Sequence, residues 1–280
     1  MAITRRQFVT GGLATGAVGV VGGGVVATRN IHGTRRFLHR HGLLSGPDQA
    51  IPNVQANVEY GTLHPYTGAV NFGAYVPDGR VEAVLYGLHG RGGSHRDTFE
   101  SIGVHKFIAA RGLPWAVASL DGGEAFWHQR HDGTNTDRDL VDVLMPMMIE
   151  RTGSAKSIVI GWSMGGYGAL LLPQKHSGRF VAAIANSPSI WPTFSEATPG
   201  AFDDAADFAA NDVLADVAQF GNTAVRVDCG EDDPFAGAVG DLHKRAPDLD
   251  VNIRSGFHED ASWRSYLPGQ LDFIQAHLGT

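Results

Sequence analysis

Gly161-Trp162-Ser163-Met164-Gly165 sets a serine between two glycines, directly after the apolar run Ile158-Val159-Ile160 and ahead of a segment with helical spacing. A serine at such a tight strand-to-helix turn exposes its hydroxyl, and the glycines let strand and helix approach closely. That residue type in that place suits a nucleophile for acyl transfer. A bare G-x-S-x-G is a weak signal in a glycine-rich chain, so the rest of the chemistry has to be found elsewhere. A serine hydroxyl is a poor nucleophile at neutral pH; it needs a base to take its proton and a carboxylate to hold that base. Both follow later in the chain. Gly230-Glu231-Asp232-Asp233-Pro234-Phe235 leaves the apolar run 225–229, and Ser255-Gly256-Phe257-His258 leaves the next one. Asp233 is the first choice for the acid, Asp232 the second and Glu231 the third. His258 is the base, set apart from the other histidines by its place past a strand end.

Acyl transfer also needs donors for the oxyanion that develops on the carbonyl. The apolar run 81–88 ends in His89-Gly90-Arg91-Gly92-Gly93, a turn able to offer backbone N–H groups. The amides of Arg91 and Met164 are expected to form the hole, with Gly92 as the alternative to Arg91. The Arg91 side chain either adds a positive field or is simply solvated. The segment from Asp121 to His128 leaves a neighbouring strand, so Phe126, Trp127 and His128 are expected to line the pocket. Trp162 and Trp191 are further candidates, although core packing is the plainer reading of Trp162. Aromatic faces beside carboxylates suit an acyl chain or the face of a sugar ring. His128, His131 and Asp132 are too few to complete a coordination shell, and serine chemistry needs none, so neither a metal nor another cofactor is expected.

Together, Leu88-His89-Gly90-Arg91-Gly92-Gly93, Leu120-Asp121-Gly122-Gly123, Trp127-His128, the run from Gly161 to Gly168, the run from Gly230 to Phe235, and Gly256-Phe257-His258 with Trp263 resemble one esterase family of α/β-hydrolases. That family includes esterase D, also called S-formylglutathione hydrolase, and the secreted mycolyltransferases. The resemblance spans about residues 54–278. It implies the α/β-hydrolase fold, in which nucleophile, acid and base follow in that order. The esterase D pattern, with the acid one residue ahead of a residue and then Phe, favours Asp233 over Asp232. Two departures matter. Arg91 stands where those branches carry an apolar residue, and an export signal does not suit a cytosolic formaldehyde-detoxifying enzyme. The resemblance therefore implies a serine esterase without implying its substrate.

The elements that must position these residues alternate in type. Residues 54–60 and 70–76 read as an antiparallel pair at a sheet edge. Short Val, Ile, Leu and Ala runs at 81–88, 115–120, 157–160, 181–185, 225–229 and 251–254 have the composition of parallel strands buried on both faces. Helical spacing marks 98–111, 137–151, 165–175, 236–245 and 261–277, with Pro173 expected to end or kink the third. Strand and helix in alternation predict a mostly parallel α/β sheet with helices on both faces. The long connection 187–223 is a candidate cap or lid.

With 280 residues, 43% hydrophobic and 18% charged, the chain can bury a large core, which excludes disorder and fibrous architectures. A net charge of −7 argues against nucleic acid as a partner. The single Cys229 can form neither an internal disulfide nor a structural zinc site. Thr4-Arg5-Arg6-Gln7-Phe8-Val9 followed by the uncharged Gly11–Ala27 stretch reads as a twin-arginine export signal over 1–27, ending in Val25-Val26-Ala27. Export machinery is thus an expected partner, the location is extracellular or the cell envelope, and the exported form begins near Thr28. Residues 28–52 read as a linker or covering arm, and 53–280 as a single hydrolase domain. The expected activity is hydrolysis of a small-molecule, lipid or sugar ester through an acyl-enzyme on Ser163. The alternatives are acyl transfer to a sugar hydroxyl and a non-catalytic envelope-binding protein. The sequence leaves oligomeric state open.

Overall fold

The computed structural model describes residues 19–21, 24–26, 31–65, 68–215 and 217–279. The twin-arginine pair Arg5-Arg6 lies outside them. The chain forms two units, Met1–Gly46 and Pro47–Thr280. In the first, β1 (Gly19–Val21) pairs antiparallel with β2 (Gly24–Val26), and α1 (Ile31–Arg40) follows. Within 28–52, read as a linker or covering arm, the structure places this helix, whose apolar positions recur at helical spacing among basic ones.

The second unit holds an eight-stranded sheet. Its strands are β3 (Glu59–Leu63), β4 (Val70–Tyr75), β5 (Ala83–Leu88), β6 (Trp115–Leu120), β7 (Ser157–Trp162), β8 (Ala182–Asn186), β9 (Ala224–Gly230) and β10 (Asp250–Arg254). Their spatial order is β10-β9-β8-β7-β5-β6-β4-β3. The β3, β4 and β6 contacts are antiparallel, and every pairing from β6 through β5 to β10 is parallel. Strands β5 through β8 are buried along their whole length, as continuous apolar runs require. The edge strand was expected at 54–60 and forms instead at Glu59–Leu63. Ile51, Ala56 and Val58 pack onto one apolar layer of the sheet without joining the ladder.

Helices cover both faces. α2 (Val104–Ala110) and α7 (Asp260–His277) close one side, where Phe107, Ile108, Leu267, Leu271 and Ile274 meet Leu85, Ile158 and Ile160. α3 (Met145–Thr152), entered through a π-helical stretch Asp139–Leu144, lies on the other with α4 (Met164–Lys175) and α6 (Ala236–Arg245). The helix expected from residue 98 starts only at Val104, because Gly103 adopts left-handed φ 73° and interrupts it. Pro173 sits inside α4, which ends two residues later.

The excursion 187–223 carries α5 (Ala205–Ala210) between two short 3₁₀ turns. It is pinned inward. Ala201, Phe202, Val213 and Leu214 are buried in the core, Tyr167 donates to Asn211 O, and Arg130 grips Asp203 together with the carbonyls of Gly200 and Ala201.

Candidate active site

Adjacent strands β5 and β7 send their chains away in opposite directions, β5 toward β6 and β7 toward β8. A crevice opens at such a switch point beyond the carboxyl ends of the strands. The turns after β5, β7, β9 and β10 all reach this rim, and each brings one expected part of the chemistry.

Ser163 follows β7 with φ 56° and ψ −114°, a conformation a non-glycine residue holds only when its surroundings impose it. The elbow is closed by contact: a Cβ on Gly161 would lie 2.0 Å from the Gly165 carbonyl oxygen, and one on Gly165 would lie 1.9 Å from that of Leu88. Only glycine fits either place. Ser163 N–H donates to Asn186 O, while Ser163 O accepts from Tyr167 and Ser189. Buried Asn186 also donates its amide to Gly161 O, and Gln270 on α7 donates to Asn186 Oδ1 and Asp228 Oδ2. The strained serine is thus held from β8 and α7.

His258 Nε2 lies 2.8 Å from Ser163 Oγ, and its Nδ1 lies 2.8 Å from Asp233 Oδ2. A buried carboxylate accepts only, so Nδ1 carries the proton and Nε2 is left to accept from the serine hydroxyl. Asp233 is 2% exposed and its other oxygen accepts the Phe235 N–H at 2.8 Å, which fixes the carboxylate. Of the three candidate acids, Asp233 is the one the structure places against His258. Asp232 is also buried, its N–H donating to Gly256 O, and Glu231 N–H donates to Arg254 O. The His258 ring stands edge-on to Trp263, whose indole donates to Ser187 Oγ, and lies 5.4 Å from the Phe235 ring.

The His89–Gly93 turn abuts the elbow, with Gly90 against Ser163 Cβ and Trp162 O. His89 is fully buried; Gly122 N–H donates to its Nε2 and its Nδ1 lies 2.8 Å from Gly90 O. Because Nε2 accepts, Nδ1 holds the proton and donates to Gly90 O. Burial keeps the imidazole neutral, lowering its pKa. Gly93 N–H bonds the same Gly90 oxygen. In a trans peptide C=O and N–H point to opposite sides, so tying down the Gly90 carbonyl directs the Arg91 N–H away from it. Met164 begins α4, where the first N–H groups have no intrahelical acceptor. The Arg91 guanidinium turns outward to Glu124.

A cleft of about 240 Å³ opens here, lined by the elbow and His258 and by Arg91, Asp97, Ile102, Trp162, Asp260 and Trp263. Asp97 also accepts the Ser94 N–H. Burial holds the Asp260 carboxyl above its ordinary pKa; Arg264 opposes this, and Asp97 and Glu259 add to it.

Three residues expected to line the pocket, Phe126, Trp127 and His128, are placed in the core instead. Trp127 and His128 are fully buried and are not among the residues that line this cleft. Trp127 packs on Gly168 and Gly122 and stands edge-on to His89; His128 reaches Phe126 O and Asp207 Oδ2. Phe126 is likewise buried. The positive φ of Phe126 (54°) and Trp127 (57°) turns this segment into the core instead of along the rim. Trp191 is half-buried, edge-on to Phe235, and so stands one ring away from His258. Trp162 is both buried and part of the cleft wall. Among the described residues no three metal-ligating side chains converge.

Sequence reasoning missed Ser189, whose hydroxyl lies 3.1 Å from Ser163 Oγ, and the carboxylates Asp97 and Asp260. Ser189 follows the end of the strand next to the nucleophile's, a place the strand-end rule would have marked.

The model of the family described as Putative esterase matches residues 73–274. The chain belongs to that family. An esterase of Mycobacterium tuberculosis is 33% identical over 127 residues, covering 40% of this chain and 26% of the relative. The chain thus spans about a quarter of the length of that curated relative. A ferulic acid esterase superposes with TM-score 0.67 at 22% identity, over 81% of this chain and all of the other. An S-formylglutathione hydrolase from Agrobacterium tumefaciens gives 0.66 at 15%, over 80% and 99%. A fluorophosphonate-binding serine hydrolase of Staphylococcus aureus gives 0.65 at 16%, over 78% and 98%. These likenesses establish the α/β-hydrolase fold.

Proposed function

We propose that the chain is an exported serine esterase that cleaves carboxylic esters through an acyl-enzyme on Ser163. The observation that carries this reading is the continuous Asp233–His258–Ser163 relay at 2.8 Å and 2.8 Å. As Ser163 Oγ bonds to the ester carbonyl carbon, its proton passes to His258 Nε2 and the carbonyl electrons move onto oxygen. The N–H groups of Arg91 and Met164 hold that oxyanion, a contribution of roughly 10²–10³ in rate per donor. Collapse expels the alcohol, which takes the proton from Nε2. Water repeats the sequence and frees the acid. Membership of the esterase family supports ester hydrolysis as the chemistry. A fluorophosphonate should label Ser163, and Ser163→Ala and His258→Ala should each lower hydrolysis of a short p-nitrophenyl ester by at least about 10³-fold. An unlabelled, folded wild-type protein would reject the reading, including in favour of a non-catalytic envelope-binding role.

The cleft narrows the substrate. Two carboxylates, Asp97 and Asp260, face it beside two indoles, while Arg91 and Arg264 are engaged with Glu124 and Asp48. Such walls repel anionic groups and suit a neutral, hydroxyl-bearing alcohol. The same walls favour a second reading in which a sugar hydroxyl replaces water as acceptor, making the reaction an acyl transfer. Acylated sugar formed at the expense of free acid would separate transfer from hydrolysis. Export rests on the Arg5-Arg6 pair and the apolar stretch after it. N-terminal sequencing of the secreted protein should find a start near Thr28, and retention of Met1 would reject cleavage.

A further inference from the structure

Charge is unevenly placed along this chain. The six arginines at positions 5, 6, 29, 35, 36 and 40 precede the first carboxylate, Asp48, and leave 16 Lys and Arg against 29 Asp and Glu in the rest. Helix α1 concentrates this asymmetry. Ile31 and Leu38 fall together, with Arg36 and Arg40 opposite them, while Phe37 lies farther round and Arg35 borders Ile31, as the 100° step per residue requires. No residue of the helix is buried, and Ile31 and Phe37 are each 48% exposed. The helix ends in a Schellman turn: Gly42 at φ 68° donates to His39 O and Leu43 donates to Leu38 O. That turn adds Leu43, 59% exposed, to the apolar residues of the segment. Three of the six large hydrophobic side chains exposed in the described residues lie between positions 31 and 43.

We propose that the segment 31–44 docks on an anionic lipid bilayer. Ile31, Phe37, Leu38 and Leu43 enter the boundary between headgroups and acyl chains, and the arginines meet the lipid phosphates. Charge complementarity selects an anionic surface, and the exposed apolar face selects a bilayer over a nucleic acid, which needs only the basic one. The acidic remainder of the chain is repelled by the same surface, so attachment is confined to this end.

The test is sedimentation of the full chain with phosphatidylcholine vesicles, with and without phosphatidylglycerol. Binding should be roughly tenfold or more tighter to the anionic vesicles and fall with salt. The pair Arg36→Glu and Arg40→Glu should remove that preference. The pair Ile31→Asp and Phe37→Asp should weaken vesicle binding while leaving every arginine in place. Hydrolysis of a soluble ester should be unchanged in both, which shows that they fold and separates this idea from the esterase reading. Equal binding to neutral vesicles, or binding untouched by either pair, would assign attachment to the 11–27 stretch and overturn the proposal. Retention on immobilised DNA that survives Phe37→Asp, with no vesicle binding, would overturn it in favour of a polyanion.

Discussion

The buried imidazole of His89 does its work on a backbone carbonyl. Its Nδ1–H holds Gly90 O and thereby aims the next N–H, the one expected to meet the oxyanion. His89→Phe keeps a ring of similar size but loses both hydrogen bonds. We expect kcat to fall about 10²-fold with KM for a small ester nearly unchanged, because the donor acts only in the transition state. An equal rise in KM would place the residue in substrate binding instead. Ser189 presents a milder case. With the Ser163 proton given to His258, the Ser189 hydroxyl is left to donate to Ser163 Oγ. Ser189→Ala removes one neutral hydrogen bond, so kcat should change by no more than about tenfold. Asp260→Asn addresses selectivity: the ratio of kcat/KM for an anionic over a neutral alcohol ester should rise about tenfold as one facing charge is removed. An unchanged ratio would remove the carboxylate from the account of the cleft.

At the level of elements, the elbow is set by how closely β7 and α4 approach β5. A methyl on Gly165 would meet the Leu88 carbonyl, which belongs to the backbone and has no room to yield. Gly165→Ala should cost about 3 kcal/mol or more, read as a lowered urea midpoint, together with loss of fluorophosphonate labelling. These close approaches were legible from context, because the glycine-flanked serine follows an apolar run and precedes a segment with helical spacing. The positions of β6, α6 and the parallel strands were legible from pattern: continuous apolar runs mark doubly buried strands, and helical spacing marks amphipathic helices. What stayed hidden was governed by tertiary contact. The exact start of β3 depended on whether Val58 would pair or pack, and the entry to α2 on a backbone angle at Gly103. Trp127 and His128 looked like rim residues from their place after a strand, yet two consecutive positive φ angles turn the chain inward there. Nothing local in Phe126-Trp127 announces that conformation. Asp97 and Asp260 escaped notice because each sits within a helical or turn segment, where a carboxylate is an ordinary capping residue.

Across the whole molecule, three buried histidines share one consequence. Burial lowers the pKa of His89, His105 and His128, in the case of His105 to about 4. A histidine that binds its proton less readily folded than unfolded contributes fully above about pH 6.5, and that contribution is lost as pH falls toward the folded value. The His105 contribution lost between pH 6.5 and 4 should then be at most about 3 kcal/mol. Asp260, with its raised pKa, acts in the opposite sense, but it is one partly buried group against three. The thermal midpoint should therefore drop steadily from pH 7 to pH 4, and His105→Phe should flatten the drop; a midpoint constant across that range would refute the assignment. The fastened excursion between β8 and β9 has a kinetic consequence. Because Arg130, Asn211 and Phe202 anchor it to the rest of the fold, the proposed catalysis should not wait for a flap to swing open at an oil–water boundary. Turnover of a sparingly soluble short-chain ester should climb smoothly through the concentration at which it forms droplets, without the sudden jump and lag that mark lipases gated by a moving flap.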